Sequence, residues 1–333
     1  MEKTTVSKQK ERMPGKEKAP ARSMVLQRRE TMVSYLFLLP ALCFFVGFVI
    51  TPMTMGVITS FTNASFADPK GTFVGLENYI RLFKDKIFLK SAVNTVIIVA
   101  VSVPAVTAFS LWVGSSIYRM RSGIRSFFRC VFYLPVVTGS VAVVVVWKWM
   151  FDKYDGLLNY VIRSFGGQPL PWTASESMAL WCIILILFTT SIGQPIVLYV
   201  AALGNVDSSL EEAARVDGAS EFRILFGIVL PMALPIIATI GLFYAVNYWN
   251  DYFQALLYIS DGDKYTLQLR LRSLLFANEL NSDPSNSEGI GTQVMTQSLK
   301  MASVAVATIP IILVYPWLQK YFVKGMTLGS VKG

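Results

Sequence analysis

Two groups of residues have the types and spacing to do chemistry, and neither can make or break a covalent bond. The first is an acidic run between two apolar stretches, "DSSLEEAARVDGASEFRILFGIVLP", beginning at Asp207. The second is a set of amide and aromatic side chains inside apolar runs: Gln194 and Tyr199, then Tyr244, Asn247, Tyr248, Trp249 and Asn250 within "FYAVNYWNDY". Amides hydrogen-bond hydroxyls, and aromatic faces lie against the apolar side of a sugar ring. Such a lining suits an uncharged polyhydroxyl solute. Tyr244, Asn247 and Tyr248 lie three and four residues apart, so they are expected to share one helical face. Hydrogen bonding between helices is an equally open use of the same residues, and Trp249 also fits an interfacial anchor.

Enzyme chemistry is excluded by what is missing. The chain has no histidine, which removes His-based acid–base catalysis, Ser-His-Asp triads and His-ligated metals. Cys43, Cys130 and Cys182 fall in or beside apolar runs without paired spacing and read as packing residues, so no metal site is expected. No G-x-x-x-x-G-K-[ST] phosphate loop occurs, and Gly15-Lys16 lacks the preceding strand and the leading glycine. No catalytic residue and no cofactor of its own is expected, nor any nucleic-acid partner.

The elements that must position these residues are membrane helices. Apolar residues make up 53% of the 333 and charged ones 15%. A helix needs about 20 apolar residues to cross the hydrocarbon. Six runs without interior charge qualify: 33–60, 91–117, 130–147, 177–203, 226–250 and 301–319. Within them Pro40, Pro52, Pro104, Pro135, Pro195, Pro231, Pro235, Pro310 and Pro316 imply kinked helices packed as a bundle. The first run is too long for a cleaved signal peptide and has no Ala-x-Ala-like site after it.

Lys and Arg give the orientation. The tail 1–32 carries nine, and the loop 118–129 holds Arg119, Arg121, Arg125 and Arg129 with no acid. With these, loop 204–225 and tail 320–333 facing the cytoplasm, the whole net charge of +9 lies on that side. The expectation is an all-α integral membrane protein of six spans with both termini in the cytoplasm. A basic cytoplasmic tail (1–32) precedes the permease domain (33–319), and a cytoplasmic tail (320–333) follows it. The first tail is open to two compatible readings, a solvated arm and a segment lying on anionic lipid. Two outer segments, 148–176 and 251–300, contain short amphipathic pieces, "GLLNYVIRSFGGQPLPW" and "YTLQLRLRSLLFANEL". They fit a docking face for an extracytoplasmic partner or plain solvated loops. Lys148, between Trp147 and Trp149, reads as an interfacial anchor and not as a relay.

The acidic run, in loop 207–225, has the marks of two short helices. Asp207, Ser208 and Ser209 offer N-caps, and Ser208 with Glu211 or Ser209 with Glu212 makes a capping box. Glu211 and Arg215 are spaced for an ion pair. Ala213 and Ala214 leave a smooth face, and Gly218 stands where the first helix must end. Asp217 precedes it. A capped linker and a docking element are both open on this ground.

The spacing Glu212-Ala213-Ala214, three residues, Gly218, nine residues, Ile228, one residue, Leu230-Pro231 resembles the "EAA" loop of binding-protein-dependent ABC import permeases. Further resemblance to sugar permeases of the carbohydrate-uptake (maltose and glycerol-3-phosphate) type runs through "YLFLLPAL", "FVGLENYIRLF" and "FYLPVVTGSVAVVVVWKWMF", and continues in "FYAVNYWNDYFQALLYI" and the terminal "YPWLQKYFVKGMTLGSVKG". The resemblance implies a type I importer (MetI-like) fold in a bacterial cytoplasmic membrane. It also implies separate ATPase subunits that bind ATP and Mg, a second permease subunit, an extracytoplasmic solute-binding protein, and a sugar, namely an oligosaccharide, as cargo. Glu211, Glu212, Ala213, Ala214, Asp217 and Gly218 then form the contact with the ATPase. An importer for a phosphorylated polyol would want cationic groups in the cavity, and none lies within the spans. An ion-coupled carrier would want intramembrane charges, which are missing.

Overall fold

The structure, a computed structural model, describes residues 24–65, 68–69, 71–138, 140–175, 177–204, 208–259, 261–280 and 296–330. Expectations for the basic tail before residue 24 and for the polar stretch 281–295 lie outside the described residues. The chain forms two units, residues 1–55 and 56–333. Secondary structure among the described residues is helical, apart from an isolated bridge between Thr62 and Phe73.

α1 (Met24–Phe45), in the first unit, passes through a widened π turn, Val46–Ile50, into α2 (Thr51–Ser60), whose residues from Gly56 on belong to the second unit. Pro52 has no amide to give the preceding turn, and the wider turn accommodates that loss. Thr51 Oγ1 also donates to the carbonyl of Val46 at 2.9 Å. The stretch Thr31–Ser60 is long and apolar enough to cross a membrane, matching the first expected span.

The second unit is the helix bundle. α3 (Glu77–Lys84) lies beside the outer end of α2 because buried Asn78 donates Nδ2 to the carbonyls of Ser60 and Thr62 at 2.9 and 2.7 Å. Asp85 then caps α4 (Lys86–Ile117), its carboxylate accepting from the amides of Ile87 and Phe88. At 32 residues α4 is about 48 Å long, so it projects beyond the hydrocarbon.

The third expected span, 130–147, is not one straight helix. α5 (Ser122–Val137) and α6 (Ser140–Met150) meet at 93°. Pro135 withholds its amide from the turn before it, and Thr138 leaves the helix with ψ at 129°. After α6, the amphipathic piece expected in segment 148–176 is α7 (Leu157–Ser164). One fully buried side chain organises that segment. Asn159 donates to the carbonyls of Asp152, Lys153 and Leu170 and accepts from the Leu170 amide and Trp172 Nε1. Asn159→Leu strands four of these groups, each worth about 1 kcal/mol or more when buried, while the Lys153 carbonyl keeps Arg163 Nη2 at 3.1 Å. Limited proteolysis of that variant in detergent is expected to cut within 151–175, where the wild type resists.

The fourth span divides into α8 (Ala179–Ser191) and α9 (Gly193–Leu203), bent by 45° at Ile192. Pro195 cannot donate to the carbonyl of Ser191 one turn back. That carbonyl, orphaned inside the bundle, accepts from Tyr244 Oη at 3.1 Å, and the next one, on Ile192, accepts from Ser110 Oγ at 3.2 Å. The bend is therefore tied to two neighbouring helices.

Two short helices follow, α10 (Ser208–Val216) and α11 (Glu221–Ile224), then a second π turn, Leu225–Val229, and α12 (Leu230–Asn250). As at Pro52, the wide turn precedes a proline, here Pro231. The outer helices expected in segment 251–300 are α13 (Phe253–Tyr258) and α14 (Leu267–Leu280). α15 (Gln297–Ser330) runs on through most of the expected C-terminal tail. Among the described residues, four helices are long and apolar enough to span, or up to six spans if each bent pair counts as one.

α4 runs through the centre. Ile98 joins Ile183, Leu187, Tyr248 and Leu269 in one buried cluster. Near the start of α4, Lys90 pairs with Asp263 at 3.3 Å and Thr95 Oγ1 accepts from the Leu267 amide at 2.8 Å. Just past its end, Arg119 meets Glu221 at 2.9 Å. Loops 118–121 and 204–225 thus share one end of the bundle, and loop 259–266 lies at the other.

Candidate functional site

At the first end, α10 closes with a complete Schellman turn. The Ala219 amide donates to the Ala214 carbonyl at 2.9 Å and the Gly218 amide to that of Arg215 at 3.0 Å. Gly218 has φ +77°, the left-handed conformation in which only glycine escapes a steric penalty. Ala214 and Ala219 pack on a cluster of Leu203, Ile224, Val229 and Ala233, which seats α10 beneath the spans.

The two motif alanines part company here. Ala214 turns inward, whereas Glu212 and Ala213 are exposed. Val216, one turn on from Glu212, is 88% exposed. Glu212, Ala213 and Val216 thus share the outward side of α10. Val216 was the residue missed by sequence reasoning. Its signal was an apolar side chain at i+4 from Glu212. Asp217 and Gly218 are also exposed at this edge. Asp207 and the side chains of Ser208 and Glu211 lie outside the described residues, and with them the caps expected from Asp207 and Ser208 and the Glu211–Arg215 pair; Ser209, the other candidate cap, lies inside α10.

Arg215 reaches forward to Glu221 at 2.6 Å. Glu221 accepts from both Arg215 and Arg119, so one carboxylate joins α10, the start of α11 and the end of α4. Both pairs are largely exposed, and exposed pairs contribute only about 0–1 kcal/mol to stability. Their consequence is positional. Glu221→Ala is expected to leave the unfolding temperature in detergent within a few degrees of wild type. It is also expected to lower the solute carried per ATP hydrolysed several-fold, measured as uptake against phosphate release in one preparation.

The amide and aromatic group does not form a single face. Tyr244 and Tyr248 turn into the bundle, Tyr248 buried in the central cluster and Tyr244 committed to the Ser191 carbonyl. Asn247 is exposed on the other side of that boundary, because three residues advance a helix by only about 300°. Asn250 is exposed one turn further, and Gln194 is exposed on α9. Trp249 stands apart, donating Nε1 to the Ala307 carbonyl of α15 at 3.0 Å. It lines an apolar cavity of about 280 Å³ with Val96, Ala100, Leu242 and Pro310. Tyr199 is fully buried against Gly114. At the far end of α12, burial raises the pKa of Asp251, opposed by hydrogen bonds from the amides of Gln254 and Phe253.

The second unit is thus an all-helical bundle with two bent pairs of helices and a capped helix pair at one end. Residues 71–328 match the family described as "binding-protein-dependent transport system inner membrane component", and the chain belongs to that family. The diacetylchitobiose uptake system permease protein NgcF of Streptomyces coelicolor is 30% identical over 259 residues, 73% of each chain. The polygalacturonan/rhamnogalacturonan transport system permease protein YtcP of Bacillus subtilis is 50% identical over 129 residues, 39% of this chain and 45% of that protein. The match to Bacillus subtilis LplC, 40% identical, takes in 61% of its length. A bacterial alginate ABC transporter, solved in complex with an alginate pentasaccharide-bound periplasmic protein, has a chain of the same fold, with TM-score 0.70 at 17% identity, covering 89% of this chain and 96% of that one.

Proposed function

We propose that this chain is the permease subunit of an ATP-driven importer that carries an oligosaccharide across the cytoplasmic membrane. The supporting observation is the outward face of α10, Glu212, Ala213 and Val216, held by the Schellman turn at Gly218 and tethered by Glu221. A separate ATPase subunit, with ATP and Mg, grips that face from the cytoplasm, with Glu212 as polar contact and Ala213 as the point of closest approach. Movement of the nucleotide-bound ATPase pulls on α10, and α11 with the π turn passes the pull into α12.

Gln194, Asn247 and Asn250 support a second part of the reading. Amide side chains facing lipid carry a desolvation cost that membrane proteins avoid. Their exposure calls for a wet cavity closed by a second permease, and amides there suit sugar hydroxyls. A binding protein delivers the solute to segments 148–176 and 251–300 on the opposite side. The names of the relatives, from diacetylchitobiose to polygalacturonan, support a sugar cargo. Reconstitution tests this: uptake in proteoliposomes should need ATP, the ATPase subunit and the binding protein. Uptake driven by an ion gradient without the ATPase would overturn it.

A further inference from the structure

α12 and α14 meet in a polar seam at the end of the bundle away from α10, about 30 Å along α12. Asn247 and Asn250 stand one turn apart on the exposed side of α12. Gln268 Nε2 donates to Asn250 Oδ1 at 3.3 Å, and Arg272 follows Gln268 by one turn of α14. The seam thus runs Asn247, Asn250, Gln268, Arg272 across two helices.

Arg272 ends it in a particular way. Its guanidinium lies 4.5 Å from the ring centroid of Tyr252 and 5.8 Å from that of Phe276. Ring faces hold the cation by attraction to the π system while leaving its N–H edge free. The side chain is exposed, and among the described residues no carboxylate pairs with it. The acid next to Tyr252 in sequence, Asp251, accepts from the Phe253 and Gln254 amides at the start of α13. The positive charge is therefore fixed in place and not neutralised.

Resting on the import reading above, we propose that this seam selects an acidic oligosaccharide. A sugar carboxylate takes the fork of Arg272, and hydroxyls of neighbouring rings take Gln268, Asn250 and Asn247 in turn. Polar groups spread along two helices suit a chain of rings better than one small anion. The neutral amides and aromatics within the spans favour an uncharged cargo in the sequence alone, and Arg272 lies outside those spans. The fold brings it to the end of the amide row.

The test uses the complete transporter in proteoliposomes with two probes of one skeleton, trigalacturonate and its uncharged methyl ester. Arg272→Gln is expected to lower ATP-dependent trigalacturonate uptake about tenfold or more, with ester uptake changed less than about twofold. Arg272→Lys, keeping the charge but not the fork, is expected to fall between. Equal loss for both probes would overturn the proposal and assign Arg272 to assembly or to docking of the binding protein. Wild-type uptake of the ester or of maltotriose without uptake of the acid would also overturn it, leaving ATP-driven sugar import intact. An assembled complex that takes up no sugar probe with ATP would sink the import reading itself.

Discussion

Gly218→Val is expected to abolish ATP-dependent uptake while the protein still inserts and can be purified. At φ +77° an L side chain costs about 1–2 kcal/mol, and a β-branched one is the least tolerated. An added Cβ would meet no neighbour within 4 Å, so the penalty is conformational and confined to the turn. α10 has nine residues, too few for a helix to persist without its cap and packing. Losing the turn releases the Ala214 and Arg215 carbonyls, and the outward face of α10 loses its position. Gly218→Asp should also fail, for a second reason: aspartate tolerates the left-handed region better, but it adds negative charge at a helix C-terminus. Gly218→Asn, without that charge, should be mildest. Glu212→Lys removes the polar contact without touching the turn and is expected to uncouple transport with α10 intact. The measurement is uptake beside basal and binding-protein-stimulated ATP hydrolysis. Normal uptake by Gly218→Val would mean that α10 transmits nothing.

Gly193→Ala is expected to be strongly damaging for a single added methyl. The new Cβ would stand 3.0 Å from the carbonyl carbon of Phe132 and from Tyr133 Cα, and closer still to the Phe132 carbonyl oxygen. These are backbone atoms of α5, which cannot swing aside as a side chain would. The overlap must be relieved by parting α5 from α9 at the bend. That opens the cluster of Val106, Ile192, Ile196 and Val200 and strains the Tyr244 and Ser110 hydrogen bonds. Overpacking commonly costs about 1–3 kcal/mol, and a clash with fixed backbone belongs at or above the top of that range. Thermal unfolding in detergent should drop by many degrees, or the variant should fail to accumulate. Gly241→Ala, whose Cβ would meet only Val103 Cγ1 at 3.9 Å, is the matched control and should behave as wild type. Similar stability for the two variants would show that the α5–α9 contact is looser than described.

Much of this protein was legible in its residues. Uncharged apolar runs mark spans because lipid offers backbone amides no partner, and the first, second, fifth and sixth runs are long apolar helices. The Glu212–Gly218 spacing gave a helix with a left-handed stop, because helix caps are local and one glycine makes one turn. What local pattern could not supply was direction across space. The 130–147 run is equally apolar whether straight or folded back, and only packing placed its 93° break after Pro135. That Arg215 would reach Glu221, beyond the turn, depends on where α11 sits and is not written in local spacing.

The proline positions and polar residues within the spans were plain in the sequence, but their partners were not. That Tyr244 would spend its hydroxyl on the carbonyl released by Pro195, 49 residues earlier in the chain, follows from α12 lying against the α8–α9 bend. Helix type, helix ends and membrane residence depend on neighbours within a turn or two, so residue order determines them. Which polar group meets which, and whether an amide faces protein or the outside, depends on how whole helices pack, and that was decided only in the tertiary structure.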